Sequence, residues 1–243
     1  MENSKRLIHK RWFEADRKYM DKKHWNNKLQ ELRKIIHIPE YTEISKELIF
    51  ELHKEVHVSK AYNSQNESYE DLIWNDFNEN LFRTATDEKG RTVLYGIWHS
   101  ARIEDITMNL LVANNEQIFE TGNWQSKINT PIKHTGNSLH KEEILDFSKG
   151  IDIQALKDYR IEVGKRTLEI ICNLQKGQLN DKIYKKNLAV ILEQKAVEDV
   201  ESANWLIDFW GRKTVSGIIL MPALRHNLVH INESQNIIKK NNS

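Results

Sequence analysis

Two histidines four residues apart, His226 and His230, stand in the run Arg225-His226-Asn227-Leu228-Val229-His230. On a helix, that spacing sends both imidazoles out of one side, one turn apart. Two such rings can grip one transition-metal ion. A third histidine, His99, lies in another helical segment, Tyr95-Gly96-Ile97-Trp98-His99-Ser100-Ala101-Arg102-Ile103. Three imidazoles on one ion leave coordination positions open, which marks catalytic over structural sites. The residue after His226 is Asn227, and no glutamate lies between the two histidines. The His-Glu-x-x-His pattern of metalloproteases is therefore excluded.

The elements that must position these rings follow from apolar periodicity. The last helix is expected from Thr214 to Lys239, with Val215, Ile218, Ile219, Pro222, His226, Val229, His230 and Ile237 facing inward. Pro222 removes a backbone hydrogen bond one turn before His226, so a kink is expected there. His99 belongs to a helix expected from Thr92 to Ala113, whose stripe is Tyr95, His99, Ile103, Ile106 and Leu110. That stripe turns His99 to the core and leaves Ser100 and Glu104 pointing away. A third helix is expected from Asp152, its N-cap, to Leu174. A fourth spans Thr42 to Ala61 on the ridge Ile49, Leu52 and Val56. A short helix follows Ser68, with Asp71 placed for a capping box. Thr121 to Ser138 reads as a loop.

The fold class is therefore all-α: a four-helix bundle with short decorating helices. Residues 40–243 form the bundle domain, and residues 1–39 form a basic helical extension that stops before Pro39. From Met1 to Ile38 there are 11 Lys or Arg against 5 Asp or Glu, with Trp12, Phe13, Tyr19 and Trp25 interleaved. So many aromatics predict packing on the bundle or at a dimer contact, not nucleic-acid binding. Across the whole chain 36 basic residues meet 35 acidic ones, which carries no nucleic-acid signature. The single cysteine, Cys172, allows no internal disulfide, which suits a cytoplasmic protein. In the apolar run Leu168 to Cys172 it reads as core packing. No signal peptide is expected, and no segment approaches the ~20 apolar residues of a membrane helix.

Further side chains are candidates for lining a cavity near the three histidines: His53 and His57, again four apart, with Arg102, Tyr159 and Arg160. Salt bridging at bundle edges is the plainer reading of the charged ones.

Two stretches carry a resemblance. Trp98-His99-Ser100-Ala101-Arg102-Ile103-Glu104-Asp105 followed by Thr107-Met108-Asn109-Leu110-Leu111 resembles the second bundle helix of DinB-like proteins. Leu220-Met221-Pro222-Ala223-Leu224-Arg225-His226-Asn227-Leu228-Val229-His230 resembles their last bundle helix. This is the damage-inducible, YfiT-like superfamily read as metal-dependent enzymes, not the DNA polymerase of the same name. The resemblance covers about Glu43 to Ile238. It implies a central three-histidine site with His99, His226 and His230 as ligands, and a homodimer. Many members follow the last histidine with Arg-Gly-Gln, where this chain has Ile231-Asn232-Glu233-Ser234-Gln235. Some relatives are thiol-dependent transferases. The expected function is an enzyme that uses one divalent ion (zinc, nickel, iron or manganese) for thiol transfer or hydrolysis of a small molecule. The alternative is a non-catalytic bundle that binds metal or docks a partner.

Overall fold

The computed structural model describes residues 22–242. Trp12, Phe13 and Tyr19 lie outside the described residues. The chain is mostly helical, and the described residues contain no strand beyond two isolated bridges, Thr86 with Thr92 and Lys182 with Thr214. The all-α expectation holds.

Helix α1 (Lys22–Ile35) packs on α2 (Thr42–Glu55) through Trp25, Leu29 and Leu32, all fully buried. The indole nitrogen of Trp25 donates to the Leu52 carbonyl at 2.9 Å. Burying each leucine contributes about 1.5–3 kcal/mol, which is what holds this polar helix on the core. Helix α2 ends at Glu55, not at Ala61 as its periodicity suggested. The β-branched Val56 and Val58 favour helix poorly, and the chain turns into a short 3-10 segment at Ser59–Tyr62. That turn brings Tyr62 back against His53. Helix α3 (Tyr69–Asn75) opens with the expected box: Ser68 Oγ accepts from the Asp71 N–H, and the Ser68 N–H donates to Asp71 Oδ2 at 2.8 Å.

Helix α4 (Val93–Asp105) is capped by Thr92, whose hydroxyl accepts from the Tyr95 N–H at 3.0 Å. It lies between α5 (Ile153–Asn173) and the last helix. Every residue from Val93 to Asp105 is buried, so Ser100 and Glu104 do not face outward as the stripe implied. A helix packed on all sides has no polar face, and its polar residues must find partners inside. Asp152 caps α5 as expected, accepting from the Ala155 N–H at 2.8 Å.

Cys172 is exposed, contrary to its expected place in the core. At 100° per residue, the inward face of α5 runs through Ile170, Ile171 and Leu174, and Cys172 falls on the far side.

The last helix is not continuous. Val215–Ile218 leads into a π-helical stretch, Ile219–Arg225, and then α6 (His226–Asn241) begins. Pro222 sits within the π segment and accounts for it, because its missing N–H and bulky ring are met by a wider turn. The expected kink takes this form, and it delivers His226 at the first position of α6. A second π stretch, Ile106–Ala113, extends α4.

Candidate metal centre

His226 and His230 project from one turn of α6, and His99 meets them from α4. The ring centroids are 4.9 Å (His99–His230), 5.0 Å (His99–His226) and 4.5 Å (His226–His230) apart. One nitrogen of each lies within 4.8 Å of the other two. The Nε2 atoms of His226 and His230 are 3.2 Å apart. Two ligands on a tetrahedral ion with bonds of 2.0–2.1 Å are separated by about 3.3 Å. His99 and His230 are buried, while His226 is half-buried, so the group reaches the surface on the His226 side.

The outward nitrogens of His99 and His230 face acceptors. His99 Nδ1 donates to the Thr135 carbonyl at 2.7 Å. A carbonyl only accepts, so Nδ1 carries the proton and Nε2 presents its lone pair to the other rings. His99 also stacks on Tyr95, centroids 5.5 Å apart and rings nearly parallel at 7°. The Tyr95 hydroxyl donates to the Gly136 carbonyl at 2.8 Å. Gly136 has φ +76°, a left-handed turn that glycine adopts without penalty, and the turn aims the Thr135 carbonyl at His99. His230 Nδ1 lies 2.8 Å from Glu233 Oε2, and Arg91 holds the same carboxylate at 3.2 Å. Outer partners of this kind orient histidine ligands.

Burial disfavours the charged forms of His99 and His226. It draws the His99 pKa down to about 3, with the nearby His230 adding to the effect. Burial lowers His226 well below the usual range as well, assisted by His230 and His99. Burial pushes Glu233 up, but the hydrogen bond and charge of His230 and the charge of Arg91 outweigh that and hold it at about 2.

The other candidate residues gather at two neighbouring centres. His53, His57 and Arg160 surround Glu104. His53 Nε2 is 2.6 Å from Glu104 Oε1, Arg160 donates to Glu104 Oε2 at 2.9 Å and to Glu70 at 2.9 Å, and Thr167 donates to Glu104 Oε1 at 2.7 Å. Arg102 and Tyr159 instead surround Asp105. The Tyr159 hydroxyl donates to Asp105 at 2.7 Å and accepts from Arg102 at 2.9 Å. Arg102 also donates to the Lys133 carbonyl at 2.7 Å, two residues before Thr135. It thereby braces the loop whose carbonyl holds His99. These are buried networks and not salt bridges at bundle edges.

Sequence reasoning missed Glu104 and Glu233. The signal for Glu233 was its place three residues after His230, on the same helix face. For Glu104 it was a carboxylate in a largely apolar helix, five residues after His99. A surface groove of about 530 Å³ is lined by Lys60, Trp124, Asp158 and Lys165 among others, and includes none of the three histidines.

No family model matches this sequence, and no curated protein is significantly similar to it. Among solved structures, the chain is similar to a conserved protein from Enterococcus faecalis, with 15% identity and a TM-score of 0.51 over 82% of this chain and 95% of that one. At that identity the likeness concerns the helical fold alone.

Proposed function

We propose that the protein is a divalent-metal-dependent enzyme whose ion is held by His99, His226 and His230 within a four-helix bundle of the DinB-like kind. The observation that carries the reading is the 3.2 Å approach of two imidazole Nε2 atoms with a third ring beside them. His230 Nδ1 lies 2.8 Å from the Glu233 carboxylate, which turns its Nε2 toward the other rings. Either a cation or the single N–H of a neutral His226 ring can lie between the two Nε2 atoms, and the third imidazole converging on the same point is what favours the cation. A divalent ion fits this all-imidazole donor set; zinc, nickel, iron and manganese are its candidates.

When bound, such an ion supplies Lewis acidity and acidifies a water or thiol that reaches it. The chain's own residues set the rest. Thr135 and Glu233 orient two ligands, Arg91 fixes Glu233, and the half-buried His226 marks the side from which a small molecule approaches. The reaction class is thiol transfer or hydrolysis. A second reading, metal binding without turnover, is favoured by one observation: the 530 Å³ groove lies elsewhere.

Metal analysis of the purified chain tests the site, followed by thiol-transfer and hydrolase screens of loaded against chelator-stripped protein. Stoichiometric metal with metal-dependent turnover is expected. Full occupancy with no turnover in either screen leaves the second reading. Stoichiometric metal at the three-histidine site in both His99→Ala and His230→Ala overturns the ligand assignment.

A further inference from the structure

We propose that His53, His57 and Glu104 form a second divalent-cation site, separate from the three-histidine centre and suited to a first-row transition ion. All three side chains are fully buried, and one ligand atom of each lies within 4.8 Å of the others. The proposal stands independently of the three-histidine reading.

The leading observation is His57. Neither of its ring nitrogens has a hydrogen-bond partner among the described residues, although both are buried. Leaving a buried polar atom unsatisfied costs about 1–3 kcal/mol. Its Nε2 stops 3.9 Å from Glu104 Oε2, too far for a hydrogen bond. The ring is deliberately accommodated: a Cβ on Gly164 of α5 would lie 2.5 Å from His57 Cε1, so α5 has no side chain where the ring sits. The lone pair of one of these nitrogens is free to bind a cation.

The surroundings match those of a ligand set. His53 stacks on His57 with centroids 5.0 Å apart. Its Nδ1 contacts the Tyr62 hydroxyl, which leaves Nε2 for the cluster. Glu104 is fixed by Thr167 on one oxygen and by Arg160 and Asn227 on the other. Outer hydrogen bonds of this kind hold a ligating carboxylate in place. Arg160 faces two carboxylates, Glu70 and Glu104.

In the arrangement seen, His53 Nε2 and Glu104 Oε1 bond each other at 2.6 Å. That is shorter than the about 3.3 Å between two ligands on one tetrahedral ion. Taking in an ion therefore exchanges this hydrogen bond for two bonds to metal, with a parting of under about 1 Å, and moves its proton from His53 Nε2 to Nδ1, where the Tyr62 hydroxyl oxygen can accept it. Two imidazoles and a carboxylate suit iron(II), manganese(II) or zinc(II).

The test uses the full chain, stripped with chelator, reloaded with excess Zn²⁺ or Mn²⁺, and freed of unbound ion by gel filtration. Elemental analysis should find two ions per chain in the unaltered protein. It should find one after His57→Ala, and one after the double change His226→Ala with His230→Ala. An anomalous map at the metal edge should show a peak between His53, His57 and Glu104. Should His57→Ala fail to fold, the map of the unaltered protein decides alone. A peak at this cluster with none at the three histidines supports the present inference and removes the proposed function. A peak at the three histidines alone, with either ion, overturns the inference and leaves that function intact. No peak at either place overturns both.

Discussion

The side-chain amide of Asn227 donates to Glu104 Oε2 at 2.8 Å, tying α6 to α4 one residue beyond His226. The same amide also donates to the Ala223 carbonyl at 2.7 Å, across the junction with the π segment. The turn that carries His226 and His230 is therefore anchored to the helix that carries His99.

Replacing Asn227 by Leu should deprive a buried carboxylate of one donor and lower stability by about 1–3 kcal/mol. Loosening the anchor should also weaken zinc binding by about tenfold, the lower end for outer partners of a metal site. Urea unfolding of stripped protein and competition with a chromophoric chelator would read the two effects. Unchanged values in both would mean the anchor does not position the ligands.

His226→Ala should remove the ion at the three-histidine site while far-UV circular dichroism stays helical, since alanine favours helix. His53→Ala should leave that ion in place. Edge-specific anomalous maps of the two variants would separate these outcomes, and loss of the ion from the three histidines in His53→Ala would contradict the assignment.

Stability of the stripped protein should fall on acidification. His99 is drawn from an ordinary 6.5 to about 3 in the fold, so unfolded chains take up a proton that the native state refuses. Its contribution is whole above about pH 6.5 and is lost progressively as pH falls toward 3. His226 and His57 shift the same way, chiefly through burial. Burial pushes Glu104 up, but His53, His57 and Arg160 together outweigh it and hold the group low, which acts in the same sense below its ordinary 4.5. Burial raises Asp105 and Glu70, whose contributions instead fade as pH rises out of the carboxylate range. Between pH 7.5 and 5.5 the histidines should prevail, giving a lower Tm at 5.5 and a shallower slope in His99→Gln. A Tm independent of pH in that window would refute this.

Gly164→Ala should lower stability by about 1–3 kcal/mol, the usual range for overpacking. The added carbon would meet the His57 ring at 2.5 Å, and that ring is pinned against His53. Chemical denaturation would show a neutral change if the ring could move aside.

Trp25→Ala should cost about 3–5 kcal/mol, as large aromatic truncations in cores do. It also removes the donor to the Leu52 carbonyl, leaving the part-buried pair of Lys28 with Glu51 as a polar tie to that part of α2. A shift in Tm too small to resolve would indicate that α1 is dispensable to the core.

Local periodicity was enough to determine the all-α class, the caps at Ser68 and Asp152, and the inward direction of His99, His226 and His230, because each depends on residues within a turn or two of one another. The disturbance at Pro222 was legible for the same reason. What the sequence could not determine was how the helices face one another. The stripe on α4 implied one buried side, yet the helix is enclosed on all sides, which turned Glu104 from an expected surface group into the centre of a buried network. Cys172 went the other way, because composition alone does not say which side of α5 meets solvent. The division of His53, His57, Arg102, Tyr159 and Arg160 between Glu104 and Asp105 depends on hydrogen bonds between residues 51 to 123 apart in the first network and up to 57 in the second. Contacts at such range arise only from tertiary packing, where buried polar groups must find whichever partners the fold brings within reach.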